Sequence, residues 1–183
     1  MHDLVQTLLS IKSPYDSFIE QPELIQGYNE DEIKQIEQKY NIPIQGQFKE
    51  FLMIMGKCSG GLLLGGTVYI YRATQDDYYF SNKYAQTLND DLDCKEFIKN
   101  MGNINLAEKK YFELAGINEH INIFFMLLAN QDDIVYEWNT DEDTVRKIGT
   151  LFDFLKYYRE IIGCRITGKE GNDFKELTTG RLL

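Results

Sequence analysis

Between residues 28 and 72 the apolar positions change their period. Ile33, Ile36 and Tyr40 recur at intervals of three and four, which marks one face of a helix. Asn29 precedes them with Glu32 three residues on, the arrangement of a capping box. Pro43 pushes Ile42 away from helical angles, so a helix is predicted over 29–41. Phe48, Phe51, Leu52 and Met55 line a second helix over 45–55, and Gly56, Gly60 and Gly61 stop it. Beyond the glycines the period falls to two: Val68 and Ile70 alternate with Tyr69 and Tyr71, predicting a strand over 67–72.

Elsewhere the pattern is less even. Leu4, Val5, Leu8 and Leu9 suggest a short helix from His2 to Ile11, ahead of a loop broken by Pro14 and Pro22. Residues 82–100 are helical only in pieces, because Asn89, Asp90, Asp91 and Asp93 are poor helix formers. Residues 104–116 fit helix or strand. The run from Ile121 to Ala129 is almost wholly apolar and suits a strand buried on both faces. Residues 130–133, Asn-Gln-Asp-Asp, supply turn chemistry, and a second strand over 134–138 makes a hairpin. A loop from Asn139 to Thr144 leads to Val145–Ile148. Thr150 and Asp153 then cap a last helix whose inner face is Leu151, Phe154, Leu155, Tyr158 and Ile162, ending at Gly163. The fold expected is α+β, with helices flanking a mostly antiparallel, twisted sheet that includes 67–72, 121–129 and 134–138.

The order of capped helix, Ile-Pro break, aromatic helix and Gly-rich turn resembles the SMI1/KNR4 (SUKH) superfamily. The matching residues are Glu32, Ile36, Glu37, Ile42, Pro43, Phe48, Lys49, Phe51, Leu52, Gly60 and Gly61. A second match follows the hairpin, in Tyr136, Trp138, Val145, Phe152 and the pair Phe154-Leu155. Together they span residues 28–163, with the middle weak. The chain is thus divided into an N-terminal extension at 1–27, an SMI1/KNR4-like domain at 28–163, and a C-terminal extension of that domain at 164–183. The resemblance implies a non-catalytic binding protein. Bacterial members are widely immunity proteins, which neutralise a toxin passed between competing cells. It leaves open a regulatory or scaffold role, as in fungal relatives tied to cell-wall synthesis.

Composition narrows the partner. The 183 residues carry a formal net charge of −10. That opposes binding to nucleic acid, which requires cations to displace counterions from phosphate, and to an anionic membrane surface. It permits a basic protein partner, steered in by the field. No stretch has the eighteen apolar residues of a membrane helix, and the N-terminus lacks a basic leader region, so a cytoplasmic protein is expected. Cys58, Cys94 and Cys164 are odd in number and widely spaced, consistent with reduced thiols and with no metal site.

Catalytic chemistry finds little material. The two histidines are His2, at the terminus, and His120, in a polar loop. Cys58 lies at a helix C-terminus, where the dipole disfavours a thiolate. Gly56-Lys57-Cys58 departs from a phosphate loop, which needs Ser or Thr after the lysine and an earlier glycine where Phe51 stands. Acid pairs such as Asp76-Asp77 and Asp90-Asp91 leave a carboxylate-based hydrolase as a weaker alternative. From Asp141 the sixth position is Arg146, where a calcium loop requires glycine. No catalytic residue, cofactor site or metal site is therefore assigned.

One feature stands out. From Leu128 to Val145 there are six acids and no Lys or Arg: Asp132, Asp133, Glu137, Asp141, Glu142 and Asp143. Trp138, the single tryptophan, lies among them. Acids that steer and an aromatic that anchors suit an interface with a basic toxin domain. These seven residues form the candidate site. Alternation also places Ile134, Tyr136 and Trp138 on one face, so core packing competes for at least one of the aromatics.

Overall fold

The computed structural model describes residues 3–11, 20–63, 68–71, 111–117, 121–128, 131–142, 144–161 and 178–183. The fold is α+β. Among these residues are α1 (Asp3–Ser10), α2 (Glu30–Tyr40), α3 (Gly46–Met55) and α4 (Leu151–Ile161). The strands β1 (Tyr111–Ile117), β2 (Asn122–Leu127), β3 (Ile134–Asn139) and β4 (Thr144–Thr150) make an antiparallel sheet in chain order. The predicted helix over 82–100 and the acids within it lie outside the described residues.

The local signals act as the sequence implies. Asn29 accepts from the backbone N–H groups of Asp31 and Glu32, each at 3.0 Å, and Glu32 accepts from the Asn29 N–H at 2.8 Å. Both halves of the capping box are therefore made. Asn41 closes α2 in the left-handed region, and Ile42 and Ile44 on either side of Pro43 are buried. At α4, the Thr150 hydroxyl donates to Asp153 at 2.8 Å and accepts from its N–H at 3.3 Å.

Over the described residues 68–71 the strand predicted at 67–72 is not formed. Val68 makes a single bridge to Ala115 on β1, and Tyr69–Tyr71 then coil into one 3-10 turn. All four side chains from Val68 to Tyr71 are buried. With cover on every side, period-two alternation no longer separates a strand from a tight turn. The Tyr71 hydroxyl is wholly buried and donates to the Met55 carbonyl at 2.7 Å. That bond ties the turn to the end of α3.

The helices pack on one face of the sheet. Phe48 of α3 meets Phe112 of β1 at 4.9 Å between ring centroids, and Phe154 of α4 meets Phe124 of β2 at the same separation. Met126 and Val135 lie on that face too. Leu4, Val5 and Leu8 of α1 join this core through α4. Arg159, also on α4, is 1% exposed. Its guanidinium donates to the carbonyls of Leu8 at 3.2 Å, Ile11 at 3.0 Å and Leu62 at 3.3 Å, and pairs with Glu20. It thus adds charge-assisted bonds at the C-terminal end of α1, where the Leu8 carbonyl also accepts from the Ile11 N–H at 3.3 Å.

The last six residues are woven into the core. Cys58 bridges Gln26 on one side and Thr179 on the other. The Gly180 N–H donates to the Lys57 carbonyl at 2.8 Å, the Arg181 N–H donates to the Ile70 carbonyl at 3.0 Å, and Leu182 is buried. A Cβ on Gly180 would overlap the Gly56 carbonyl, so only glycine allows this approach. Burial pushes the nearby Tyr28 hydroxyl up to about 12.

Candidate functional site

Pairing around β3 decides where the candidate residues go. Val135, Glu137 and Asn139 point to the helix side, and Ile134, Tyr136 and Trp138 to the other side. Trp138 and Glu137 therefore face opposite ways. Tyr136 stacks on Phe125 across the strand pair, with centroids 5.6 Å apart, and is buried. Burial first, and Asp132 second, hold its hydroxyl above its ordinary range. Trp138 is half-buried beside Ile123 and Val145, and its indole N–H is buried without an acceptor among the described residues.

The acids divide into three groups. Asp132 and Asp133 form the β2–β3 turn, Glu137 lies inside the sheet, and Asp141 and Glu142 form the β3–β4 turn. Asp143 lies outside the described residues. At a strand rise of about 3.3 Å per residue the two turns are roughly 20 Å apart. That is more than twice the Debye length of about 8 Å at physiological salt, so their fields do not reinforce each other. The acids share one cation-free window of sequence and are split in space.

Each group has its own work. Asp132 is exposed, and its carboxylate accepts from the Ile134 N–H at 3.1 Å. Asp133 accepts from the Gln47 N–H at 2.8 Å, in the first turn of α3, while its carbonyl accepts from the Leu151 N–H at 2.8 Å. It joins the starts of two helices to the hairpin. Gly46 makes room for this carboxylate: its φ is 57°, and a Cβ there would overlap Asp133.

Glu137 is 6% exposed and is not free. Asn122 donates to one carboxylate oxygen at 2.9 Å, and Arg146 donates its Nε–H to the other. Arg146 follows the window in which no cation occurs, and antiparallel register returns it opposite Glu137. The Glu137 carboxylate holds the Arg146 guanidinium above its ordinary range. Asp141 and Glu142 remain exposed at the tip, where the Asn139 side-chain oxygen accepts from both of their N–H groups, at 3.0 and 3.1 Å. Asn122, Glu137, Asn139, Glu142, Thr144 and Arg146 line a cleft of about 230 Å³ beside that tip.

The structure thus leaves Asp132, Asp141 and Glu142 exposed, engages Asp133 and Glu137 within the fold, and sets Trp138 on the far face of the sheet. Sequence reasoning missed Arg146, Asn122 and Thr144. The signal that would find them is hairpin register, counted outward from the Asn139–Thr144 pair. Among the described residues no group of three or more His, Cys, Asp or Glu could hold a metal ion. His120, Cys94 and Cys164 lie outside them. No helix among them is long and apolar enough to cross a membrane. No family model matches the chain, and no curated protein or solved structure matches it either.

Proposed function

We propose that this chain is a non-catalytic binding protein of the SMI1/KNR4 type. In this reading it is a cytoplasmic immunity protein that neutralises a cognate bacterial toxin, a basic one, by covering its active site. No bond is made or broken. The observation that carries the reading is the exposed hairpin tip, where Asp141 and Glu142 project from a turn fixed by the Asn139 side chain. Asn139 orders the backbone of this turn, and the exposed charges of Asp141 and Glu142 accelerate encounter with a cationic surface. At low salt, where screening is weak, the net charge of −10 acts in the same direction.

The test is inhibition of the purified toxin. Stoichiometric addition of this chain should abolish toxin activity, with one chain per toxin domain and no chemical change in either. Neutralisation that continues at catalytic amounts of the chain, or turnover of a defined substrate lost in one Asp→Asn or Glu→Gln variant that still folds, would overturn the reading.

A further inference from the structure

Register sets the floor of the cleft. The pairs Asn122–Asn139, Phe124–Glu137, Glu137–Arg146 and Asn139–Thr144 place these side chains on the face that also carries Phe124 and Val135. That face has two halves. Toward Thr150 it is apolar and covered by α4, which starts one residue after β4 ends. Toward the tip the apolar side chains give out, and the same face continues as a cleft lined by polar residues, with Tyr157 of α4 near Arg146. Next to the lining residues Asn122 and Asn139, the Thr140 N–H donates to the Ile121 carbonyl at 2.8 Å.

We propose that this cleft receives one basic side chain, an arginine or lysine presented by a protein partner. The inference rests on the binding-protein reading above and specifies the contact. Size is the first argument. Sites for drug-sized ligands run from roughly 300 to 1,000 Å³ and are mostly apolar. A polar cleft of about 230 Å³ is smaller and accommodates a single long side chain.

Charge is the second argument. Two carboxylates and one guanidinium line the cleft, and Arg146 is already paired with Glu137. Glu142 also acts on Arg146, which leaves one carboxylate in excess, and Asp141 lies beside Glu142 in the turn. Each Glu137 oxygen accepts one bond and retains a second lone-pair direction. Beside the donors of Arg146 and the asparagines, the Glu142 carboxylate and the remaining lone pairs of Glu137 suit a guanidinium or ammonium group that only donates. An acidic side chain drawn to the terminal amino groups of Arg146, which is 68% exposed, would have to approach Glu142 as well.

Titration of the isotope-labelled full chain with blocked tripeptides, followed by NMR, tests the proposal. Ac-Gly-Arg-Gly-NH2 and its lysine analogue should shift the side-chain amides of Asn122 and Asn139 and the Arg146 Nε–H saturably. Ac-Gly-Glu-Gly-NH2 should not. Binding should weaken at least threefold in Glu142→Gln, whose fold should survive because Glu142 is exposed. An arginine peptide that moves none of these signals, or moves them equally in Glu142→Gln, overturns the cleft as a receptor, whether or not a basic protein binds elsewhere. Preference for the glutamate peptide overturns it too. Saturable filling by arginine in a chain that inhibits no toxin would support the cleft and remove the proposed function instead.

Discussion

Asp133 offers the sharpest test of whether the acid run is one surface or several. Its carboxylate accepts the Gln47 N–H at the start of α3, and its backbone holds a φ of 55°. Replacing it by alanine removes the acceptor for a helix N-terminal N–H, a loss of roughly 1 kcal/mol. It also removes a negative charge from the positive end of the helix, worth about 0.3–1 kcal/mol. Alanine tolerates the left-handed region less well than aspartate, which adds to the cost. The sum is about 1–2 kcal/mol, or roughly 3–6 °C in Tm for a chain of this length. Asp133→Asn keeps an acceptor and a residue at ease in that conformation, so it should lose only the charge contribution, under about 1 kcal/mol. Asp141→Ala, at the opposite turn, should stay within about 0.5 kcal/mol of the parent. Thermal unfolding of the three variants by circular dichroism reads the difference. Equal Tm values for Asp133→Ala and Asp141→Ala would refute the assignment of Asp133 to the fold.

Other substitutions test the packing and the caps. Phe51 is fully buried on α3, and Phe51→Ala should cost roughly 3–5 kcal/mol in urea unfolding; unchanged stability would remove the placement of that helix. Gly46→Ala should destabilise the chain, because the new Cβ must occupy the place of the Asp133 carboxylate at a φ that suits glycine; pairing it with Asp133→Ala should recover part of the loss. Asp153 is held below the usual carboxylate range, first by the Thr150 hydroxyl. A depressed folded pKa gives stability that is present above the unfolded value, about 3.9, and lost as pH falls through the folded one. Thr150→Ala should therefore shrink the loss of Tm below about pH 4, and a parallel acid limb in parent and variant would refute the assignment.

Much of the architecture was legible because it is written in local signals. Asn29 with Glu32, the Ile42-Pro43 break, the Phe48–Met55 stripe and Thr150 with Asp153 each act within eight residues or fewer, and each formed as expected. The apolar run from Ile121 and the alternation from Ile134 gave β2 and β3 to within a residue or two. What failed depended on contacts distant in sequence. Val68–Tyr71 alternates like a strand, yet burial on every side lets it coil into a turn. Arg159 is one cation on an otherwise ordinary helix, and nothing near it announces the carbonyls of Leu8, Ile11 and Leu62. The candidate site failed in part for the same reason. Six acids in one window without a cation read as one patch, whereas a strand between two turns sends them to opposite ends, and register supplies Glu137 with a counter-charge from just beyond that window.

Association kinetics test the central claim, binding of a basic polypeptide through the hairpin tip, most directly. The parent chain and a variant neutralised at Asp141, Glu142 and Asp143 are measured against the purified toxin at low and physiological salt. Steering by exposed charges predicts that salt slows association far more than it hastens dissociation. The variant should bind more slowly than the parent at low salt and lose most of the salt dependence, with its Tm nearly unchanged. On-rates that are the same at both salts, or the same in variant and parent, would contradict the account.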